Sequence, residues 1–142
     1  MKYRIEPCNS EEAEYIDDKL VEYNLYNVPV ECDPKNLFDW FGRKITDNEG
    51  RIIAGCLAGV SVWRTAEISI LWVDESYRKQ GLGSHLLKAV EQEIKEKGCT
   101  IIQLDTFDWQ AREFYEKNGY SVFGKLADCP QGHCRFYMKK NI

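Results

Sequence analysis

Hydrophobic and polar positions along the chain follow two periods, and the change from one period to the other predicts the elements. Three segments have apolar residues at helical spacing: one that Ser10 is predicted to cap and that has an acidic first turn, one that runs to Lys97, and a short one over residues 111–118. Gly98 and Gly119 stand directly after the second and third segments, where a helix commonly stops. These segments are therefore predicted to be helices.

Strands are predicted where apolar residues alternate with polar ones or run together between turn residues. These segments are 2–6, 37–46, 51–63, 66–73, 99–106, 120–126 and 135–140. Residues 47–50, Asp-Asn-Glu-Gly, are typical of a turn between two hairpin strands. The order β-α-β-β-β-α-β-α-β-β predicts an α/β fold, a sheet of mixed direction with helices on both faces, in a single domain over residues 1–142. The strand–helix–strand segment from 66 to 106 predicts a parallel crossover.

Segment 66–73 carries two polar residues in an otherwise apolar strand. Strict alternation gives one face Ala66, Ile68, Ile70 and Trp72, and the other face Glu67, Ser69, Leu71 and Val73. A central strand covered on both faces is expected to be apolar throughout. A glutamate and a serine on one face therefore indicate a cleft.

Composition and charge narrow the class of protein. Of the 142 residues, 44% are hydrophobic and 30% are charged, which excludes intrinsic disorder. The net charge of −4 argues against a broad nucleic-acid surface and weakly favours cationic substrates. The apolar run 52–63 is too short to cross a membrane, and the N-terminal residues lack the apolar stretch of a secretory signal. We expect a cytoplasmic protein with no nucleic-acid or membrane partner and with six free cysteines.

One loop contains three residues of metal-ligating type: Cys129, His133 and Cys134. A structural zinc site needs four ligands, and no distant Cys or His pair completes this set. The sequence therefore predicts no metal site.

A glycine-rich turn follows segment 66–73 and opens the second helix. In residues 78–84, Arg-Lys-Gln-Gly-Leu-Gly-Ser, successive backbone N–H groups and the helix dipole converge on one spot, which suits a pyrophosphate. The alternative is a tight strand–helix turn with a solvated basic pair. A P-loop is excluded because the G-x-x-x-x-G-K-[ST] pattern is absent, and a dinucleotide fingerprint is excluded because Leu86 stands where its third glycine belongs.

Two motifs resemble those of the GNAT superfamily of acyl-CoA-dependent N-acetyltransferases. Residues 71–87, LWVDESYRKQGLGSHLL, resemble its R/Q-x-x-G-x-G/A motif. Residues 111–120, AREFYEKNGY, resemble its A-x-x-F/L-Y-x-K-x-G-F/Y segment. The two motifs have the family's usual separation, and the resemblance covers roughly residues 37–126.

The resemblance implies a mostly antiparallel sheet with a central, splayed parallel strand pair, and acetyl-CoA as co-substrate. The loop amides would hold the pyrophosphate, and the pantetheine would lie between the splayed strands. The cofactor-binding residues implied in this way are Leu71, Trp72, Val73, Arg78, Lys79, Gln80, Gly81, Leu82, Gly83, Ser84, Asp108 and Tyr115. Many members have asparagine at the position of Asp108, and a carboxylate accepts hydrogen bonds but cannot donate them.

The resemblance also implies the catalytic groups. Tyr115 would protonate the departing thiolate, since a phenol carries its proton at neutral pH; the alternative is an ordinary core tyrosine. The backbone N–H of Val73 would stabilise the oxyanion. Glu67 is the first candidate for the base, because its spacing to the glycine turn resembles that of the histone-acetyltransferase branch, where the glutamate acts through water. His133, in the loop before the last strand, is the second candidate base.

The leading hypothesis is direct transfer of an acetyl group to a primary amine of an unidentified small-molecule or peptide acceptor, in a ternary complex. The alternative is a non-catalytic acyl-CoA-binding or interaction module on the same fold. A homodimer is left open. An acceptor pocket is expected from residues 24–41 and their neighbours, which mix aromatic and acidic side chains. Its members are Tyr23, Tyr26, Glu31, Asp33, Phe38 and Trp40.

Overall fold

A computed structural model describes residues 2–142 and contains three α-helices and six strands within that range. The elements are α1 (Ser10–Asn27), β1 (Phe38–Thr46), β2 (Ile52–Ser61), β3 (Ala66–Val73), α2 (Leu82–Glu96), β4 (Ile101–Phe107), α3 (Arg112–Lys117), β5 (Ser121–Ala127) and β6 (Cys134–Asn141), with a 3₁₀ turn at Glu75–Tyr77. The chain divides after Leu37 into two units, which are described separately. In the described part of the chain, no helix combines the length and the apolar character needed to cross a bilayer.

In the first unit, the N-cap of helix α1 lies one residue before Ser10, the predicted cap. Asn9, not Ser10, is the N-cap: its side chain accepts the Glu12 backbone N–H at 2.8 Å, and the Glu12 carboxylate accepts the Asn9 N–H at 3.3 Å. This reciprocal capping box requires a Glu or Gln three residues after the cap. Ser10 has Ala13 at that position, so it cannot form the second bond.

The strand predicted over residues 2–6 was wrong, because this segment has no regular structure in the described residues. Alternation of apolar and polar residues is not sufficient for a strand, which also needs a neighbour to hydrogen-bond along its length. Here Arg4 and Glu6 pair with each other at 3.8 Å, and Ile5 is 96% exposed.

In the second unit, six strands form one sheet in the order β1-β2-β3-β4-β6-β5. Every neighbouring pair is antiparallel except β3 and β4, which run parallel in the middle of the sheet. In the described residues the β3–β4 ladder has only two positions, Ala66 opposite Ile102 and Glu67 opposite Gln103. Beyond Glu67 the two strands separate. This confirms a mixed, mostly antiparallel sheet with a central splayed parallel pair.

A bulge at Ser69 changes which β3 residues share a face. Ile68 lies opposite Ala58, but Ile70 lies opposite Leu57, so Ser69 is an extra residue in the ladder. The predicted strict alternation was therefore wrong after Ile68. Two sets result. One face carries Ala66, Ile68, Leu71 and Val73, opposite the buried β2 residues Val60, Ala58, Cys56 and Ala54; the other carries Glu67, Ile70 and Trp72, opposite Gly59, Leu57 and Gly55.

The core of the second unit lies between the first of these faces and the helices. Leu86, Leu87, Val90 and Ile94 of α2 are buried in one cluster with the inward residues of β2, as the helical spacing predicts. Helix α3 packs on the same face, where Tyr115 joins the cluster and the Arg112 guanidinium lies 4.6 Å from the ring centre of buried Phe136. The other face of this unit's sheet, called the open face below, carries exposed apolar side chains. Among them are Phe38, Trp40, Leu57, Ile70 and Trp72.

Candidate active site

A cleft of about 920 Å³ lies where β3 and β4 diverge. Its walls come from the end of β3, the glycine-rich turn, the end of β4 and the start of α3. Of the residues predicted to bind the cofactor, Leu71, Trp72, Val73, Arg78, Lys79, Gly81, Leu82, Gly83, Ser84 and Tyr115 line it. Gln80 and Asp108 are not among the lining residues of the described chain. The volume lies within the range of ligand pockets, about 300–1,000 Å³.

The glycine-rich turn is built to expose the N-terminus of α2. Gly81 is the N-cap and has a left-handed backbone with φ of 78°, which favours glycine. Within residues 2–142 no side chain caps this helix, so its first N–H groups face the cleft without a side-chain acceptor. At Gly83 an added Cβ would lie only 3.3 Å from the Phe114 ring, so a larger residue would press on the opposite wall.

The basic pair beside the turn serves both the fold and the site. The Arg78 Nε donates a hydrogen bond to the Val73 carbonyl at 3.0 Å, which fixes the turn to the end of β3. Lys79 is exposed and has a positive φ of 63°. Both side chains line the cleft. Together with the uncapped helix N-terminus, they fit the negative charge of a pyrophosphate.

The backbone of β3 offers two N–H groups to the gap between the strands. The Asp74 N–H donates to the Ile53 carbonyl at 2.8 Å, and Ile53 is the residue opposite it. In an antiparallel ladder such pairs alternate with pairs that do not bond to each other. The N–H groups of Leu71 and Val73 therefore point away from β2, toward the side where the β4 ladder has ended. This arrangement suits the oxyanion donor predicted at Val73.

Tyr115 is the buried acid of the cleft, with 6% of its surface exposed. Its ring meets Phe114 and Tyr120 edge-on, with ring centres 5.3 and 5.6 Å away. Burial raises the pKa of the Tyr115 phenol, and the acidic groups of Cys56 and Asp105 raise it further. Among the hydrogen bonds of the described residues, none uses the Tyr115 hydroxyl. The hydroxyl thus carries a proton at neutral pH, and it belongs to a side chain that lines the cleft.

The buried acids around Tyr115 predict a loss of stability at alkaline pH. Burial raises the pKa of the Cys56 thiol from 9.0 to about 12, with a smaller contribution from the Glu91 carboxylate. A group whose pKa is higher in the folded state stabilises the fold fully below its unfolded pKa, and this contribution is lost as pH rises toward its folded pKa. We expect the free energy of unfolding, measured in urea, to fall from about pH 9 upward.

Matched cysteine variants test this dependence. Cys56→Ala is expected to flatten the decline between pH 9 and 11 or so, because one buried acid is removed. Cys8→Ala removes an exposed thiol and is expected to leave the slope unchanged. A free energy of unfolding that is constant across this window in the unmodified protein contradicts the prediction.

Glu67 lies at the closed end of the splayed pair, in one of the two positions where β3 still pairs with β4. It is half-buried and is on the open face, with Ile70 and Trp72 rather than with Leu71 and Val73. Ile70 and Trp72 line the cleft, but Glu67 is not part of the lining described for residues 2–142. Its carboxylate forms no ion pair with another described side chain.

Asp108 and His133 are brought together by the end of β4 and the loop before β6. One carboxylate oxygen, Oδ1, lies 2.9 Å from the His133 Nδ1, and the other accepts the Cys134 backbone N–H at 2.9 Å. The Cys134 N–H bond contributes most to lowering the pKa of Asp108; partial burial opposes it, and the His133 bond supports it. In residues 2–142 no three side chains of His, Cys, Asp or Glu form a metal-binding group.

The structure adds lining residues that the sequence analysis did not select. Asp105, Trp109 and Gln110 extend the wall on the β4 side, and Phe114 and Tyr77 are also part of it. Phe114 and Tyr77 could have been found, because each directly precedes a predicted site residue within one of the two motifs. The other three carry no local signal, since their place depends on where β4 diverges from β3.

The residues expected to form an acceptor pocket divide between the two units. Tyr23, Tyr26, Glu31 and Asp33 belong to the first unit. In the second unit, Phe38 and Trp40 stack on each other with ring centres 5.3 Å apart, on the open face of β1. The shared pocket stays a prediction.

Comparison with known proteins finds a family model, relatives and solved structures similar to this chain. A family model described as "Acetyltransferase (GNAT) family" matches residues 8–120. The chain is 38% identical over 91 residues to blasticidin-S acetyltransferase of Streptomyces morookaense, covering 63% of this chain and 67% of that protein. The crystal structure of an acetyltransferase from Bacillus cereus has a TM-score of 0.86 at 35% identity, covering 99% of this chain and 98% of the other.

A more distant structure shares the fold and contains the donor. It is described as a streptothricin acetyltransferase of Bacillus anthracis and was solved in complex with acetyl coenzyme A. Its TM-score is 0.66 at 22% identity, and the match covers 82% of this chain and 68% of the other. The family model spans most of the chain, including both sequence motifs and the cleft between β3 and β4. On this evidence the chain belongs to the GNAT family of acetyltransferases.

Proposed function

We propose that the protein transfers an acetyl group from acetyl-CoA to a primary amine by direct attack in a ternary complex. One observation carries this proposal: a single cleft is lined both by the uncapped N-terminus of α2 and by the buried residue Tyr115. The first suits the pyrophosphate of the donor, and the second suits the sulfur that must leave. A binding module would need only the first.

The cleft passes through the sheet, and this suggests how the two substrates meet. Its lining includes Phe114 and Tyr115, from the helix that packs on the core face. It also includes Ile70, Trp72 and Asp105, which lie on the open face. The pyrophosphate would stay at the α2 turn, the thioester would reach into the gap, and the amine would approach from the open face.

Each chemical requirement of the transfer has a group near this path. The amine nitrogen attacks the thioester carbonyl, and the Val73 N–H stabilises the charge that develops on the oxygen. The C–S bond then breaks, and Tyr115 gives its proton to the departing thiolate. Before the attack the ammonium must lose one proton, and the two candidate acceptors are Glu67, acting through water, and His133. The nitrogen loses its second proton to solvent as the amide forms; solvent returns a proton to Tyr115 and removes the one held by the base.

The acceptor is proposed to be a cationic amine. Trp72 and Trp109 place aromatic rings in the cleft wall, which suit a positive charge. Asp105 adds a carboxylate to the same wall, and Arg135 already pairs with one of its oxygens at 2.8 Å. The similarity to blasticidin-S acetyltransferase also supports blasticidin S as one acceptor to test. Because the six cysteines are free thiols, we propose a reducing compartment, the cytoplasm, as the place of reaction.

The test is release of coenzyme A, followed with a thiol reagent, against polyamines, amino acids, aminoglycoside antibiotics, peptide N-termini and lysine side chains. A parallel melting experiment measures donor binding, since a ligand at about 100 times its Kd adds roughly 2.7 kcal/mol of stability. Binding together with turnover of one amine class supports the proposal. Binding without turnover of any amine favours the non-catalytic module, and absence of binding contradicts both.

A further inference from the structure

Asp108 forms three hydrogen bonds with His133 and Cys134, two of them through its carboxylate. Its Oδ1 pairs with the His133 Nδ1 and its Oδ2 accepts the Cys134 N–H, both at 2.9 Å. Its own backbone N–H donates to the Cys134 carbonyl at 3.0 Å. Both carboxylate oxygens are thus engaged by the loop that precedes β6, which fixes that loop to the end of β4.

This contact determines how His133 can carry protons. The carboxylate of Asp108 accepts hydrogen bonds and does not donate them, so the proton of the bond lies on Nδ1 of the imidazole. In the neutral ring Nε2 is then a proton acceptor. The His133 side chain is 49% exposed, so it is not enclosed by the protein.

The imidazole stands at the rim of the cleft. Its ring meets Trp109 at 80° with ring centres 4.9 Å apart, and Trp109 lines the cleft. Trp109 in turn stacks flat on Phe107, at 4.6 Å, and Phe107 shares the open face of β4 with Asp105. One aromatic ring therefore separates His133 from the side on which the amine is proposed to approach.

We propose that Asp108 is a positioning residue and that the Asp108–His133 pair accepts the proton of the acceptor amine. This inference rests on the proposed function. The ammonium gives one proton through water to Nε2 of His133, and the nitrogen keeps the electron pair with which it attacks the thioester. The resulting imidazolium holds both ring protons, with Asp108 opposite Nδ1, until Nε2 releases its proton to solvent.

His133 is preferred to Glu67 as the base because Asp108 orients its ring. Glu67 lies where β3 and β4 still pair, whereas His133 contacts a wall of the cleft. Other titratable groups on this loop and at the start of β6 bind elsewhere. Asp128 accepts the Gly132 N–H, and Arg135 forms an ion pair with Asp105. Cys129 and Cys134 lie on either side of His133 in the chain, and neither is among the contacts described for its ring.

The test compares variants with the amine that the unmodified protein acetylates best. His133→Gln is expected to lower kcat/KM for the amine at least about tenfold, and to remove the acidic limb of its pH profile. The KM for acetyl-CoA is expected to stay within about twofold. Added imidazole should restore part of the activity of His133→Ala, a response that a purely structural role would not give.

Asp108→Asn separates the positioning role from a cofactor contact. Many members of the family carry asparagine at this position. If Asp108 contacts the cofactor, the substitution changes the KM for acetyl-CoA and leaves the pH profile of kcat/KM for the amine unchanged. If Asp108 positions His133, the KM for acetyl-CoA stays unchanged and the pH profile for the amine changes. Asp128→Asn, in the same loop, removes an equal charge without touching the imidazole and is expected to leave both parameters unchanged.

The outcomes distinguish this inference from the function beneath it. No turnover of any amine by the unmodified protein overturns both. If the unmodified protein turns over an amine and His133→Gln keeps its pH profile, only the assignment of Asp108 and His133 as the proton acceptor is overturned. The same conclusion follows if Glu67→Gln, and not His133→Gln, loses the acidic limb of that profile. Melting temperatures measured with acetyl-CoA show whether each variant is folded.

Discussion

Replacing Tyr115 with phenylalanine is expected to lower kcat by about 10²–10³-fold while the KM for acetyl-CoA barely changes. The substitution keeps the ring that packs against Phe114 and Tyr120 and removes only the hydroxyl. That hydroxyl holds its proton firmly, because burial raises its pKa, and the Tyr115 side chain lines the cleft. Without it the departing thiolate must leave unprotonated or take its proton from water. Steady-state kinetics with both substrates varied measures the effect.

Tyr120→Phe is the matched control for this substitution. Tyr120 is also buried and its ring contacts Tyr115, but its hydroxyl points to the Glu91 carboxylate at 3.5 Å and not to the cleft. We expect this variant to lose some stability and to keep kcat. If Tyr115→Phe has the same kcat as the unmodified protein, Tyr115 has no part in the mechanism. If kcat falls equally in both variants, the cause is a general disturbance of the core.

Leu87→Ala is expected to destabilise the fold by about 2–5 kcal/mol. Leu87 is fully buried in the cluster that joins α2 to the core face of the sheet. Its truncation removes apolar contacts and leaves a cavity that rigid strands and helix ends close only in part. Urea unfolding followed by circular dichroism gives the free energy directly.

An exposed leucine provides the comparison. Leu126 on β5 is 46% exposed, so Leu126→Ala is expected to change the free energy of unfolding by about 0.5 kcal/mol or less. A loss of less than about 1 kcal/mol in Leu87→Ala would contradict the packing of α2 on the sheet described above.

Elements with local signals could be predicted from the sequence. Helix α2 ends where Gly98, with φ of 89°, follows it, and the hairpin turn before Arg51 closes through the Gly50 N–H and the Asp47 carbonyl at 3.0 Å. The glycine-rich turn also lies where its motif indicates, since the glycine at 81 adopts a backbone that other residues avoid. In each case the residues that set the structure are neighbours in the chain.

Features that depend on distant contacts could not be predicted in the same way. The Asp108–His133 bond joins residues 25 positions apart, and nothing near either residue indicates the other. The bulge at Ser69 arises from the match between β2 and β3, while the β3 sequence read alone fits strict alternation. The functional residues named by motif were therefore easier to locate than those placed by the sheet.

The bulge has a consequence for how this sequence can change over evolution. Before Ser69 the even-numbered positions of β3 face the helices, and after it the odd-numbered positions do. Because Ser69 is the extra residue, its deletion would leave a regular ladder in which Leu71 and Val73 still face the helices. We therefore expect related proteins to differ by one residue in the length of β3 at this point and to keep apolar residues at the two inward positions that follow.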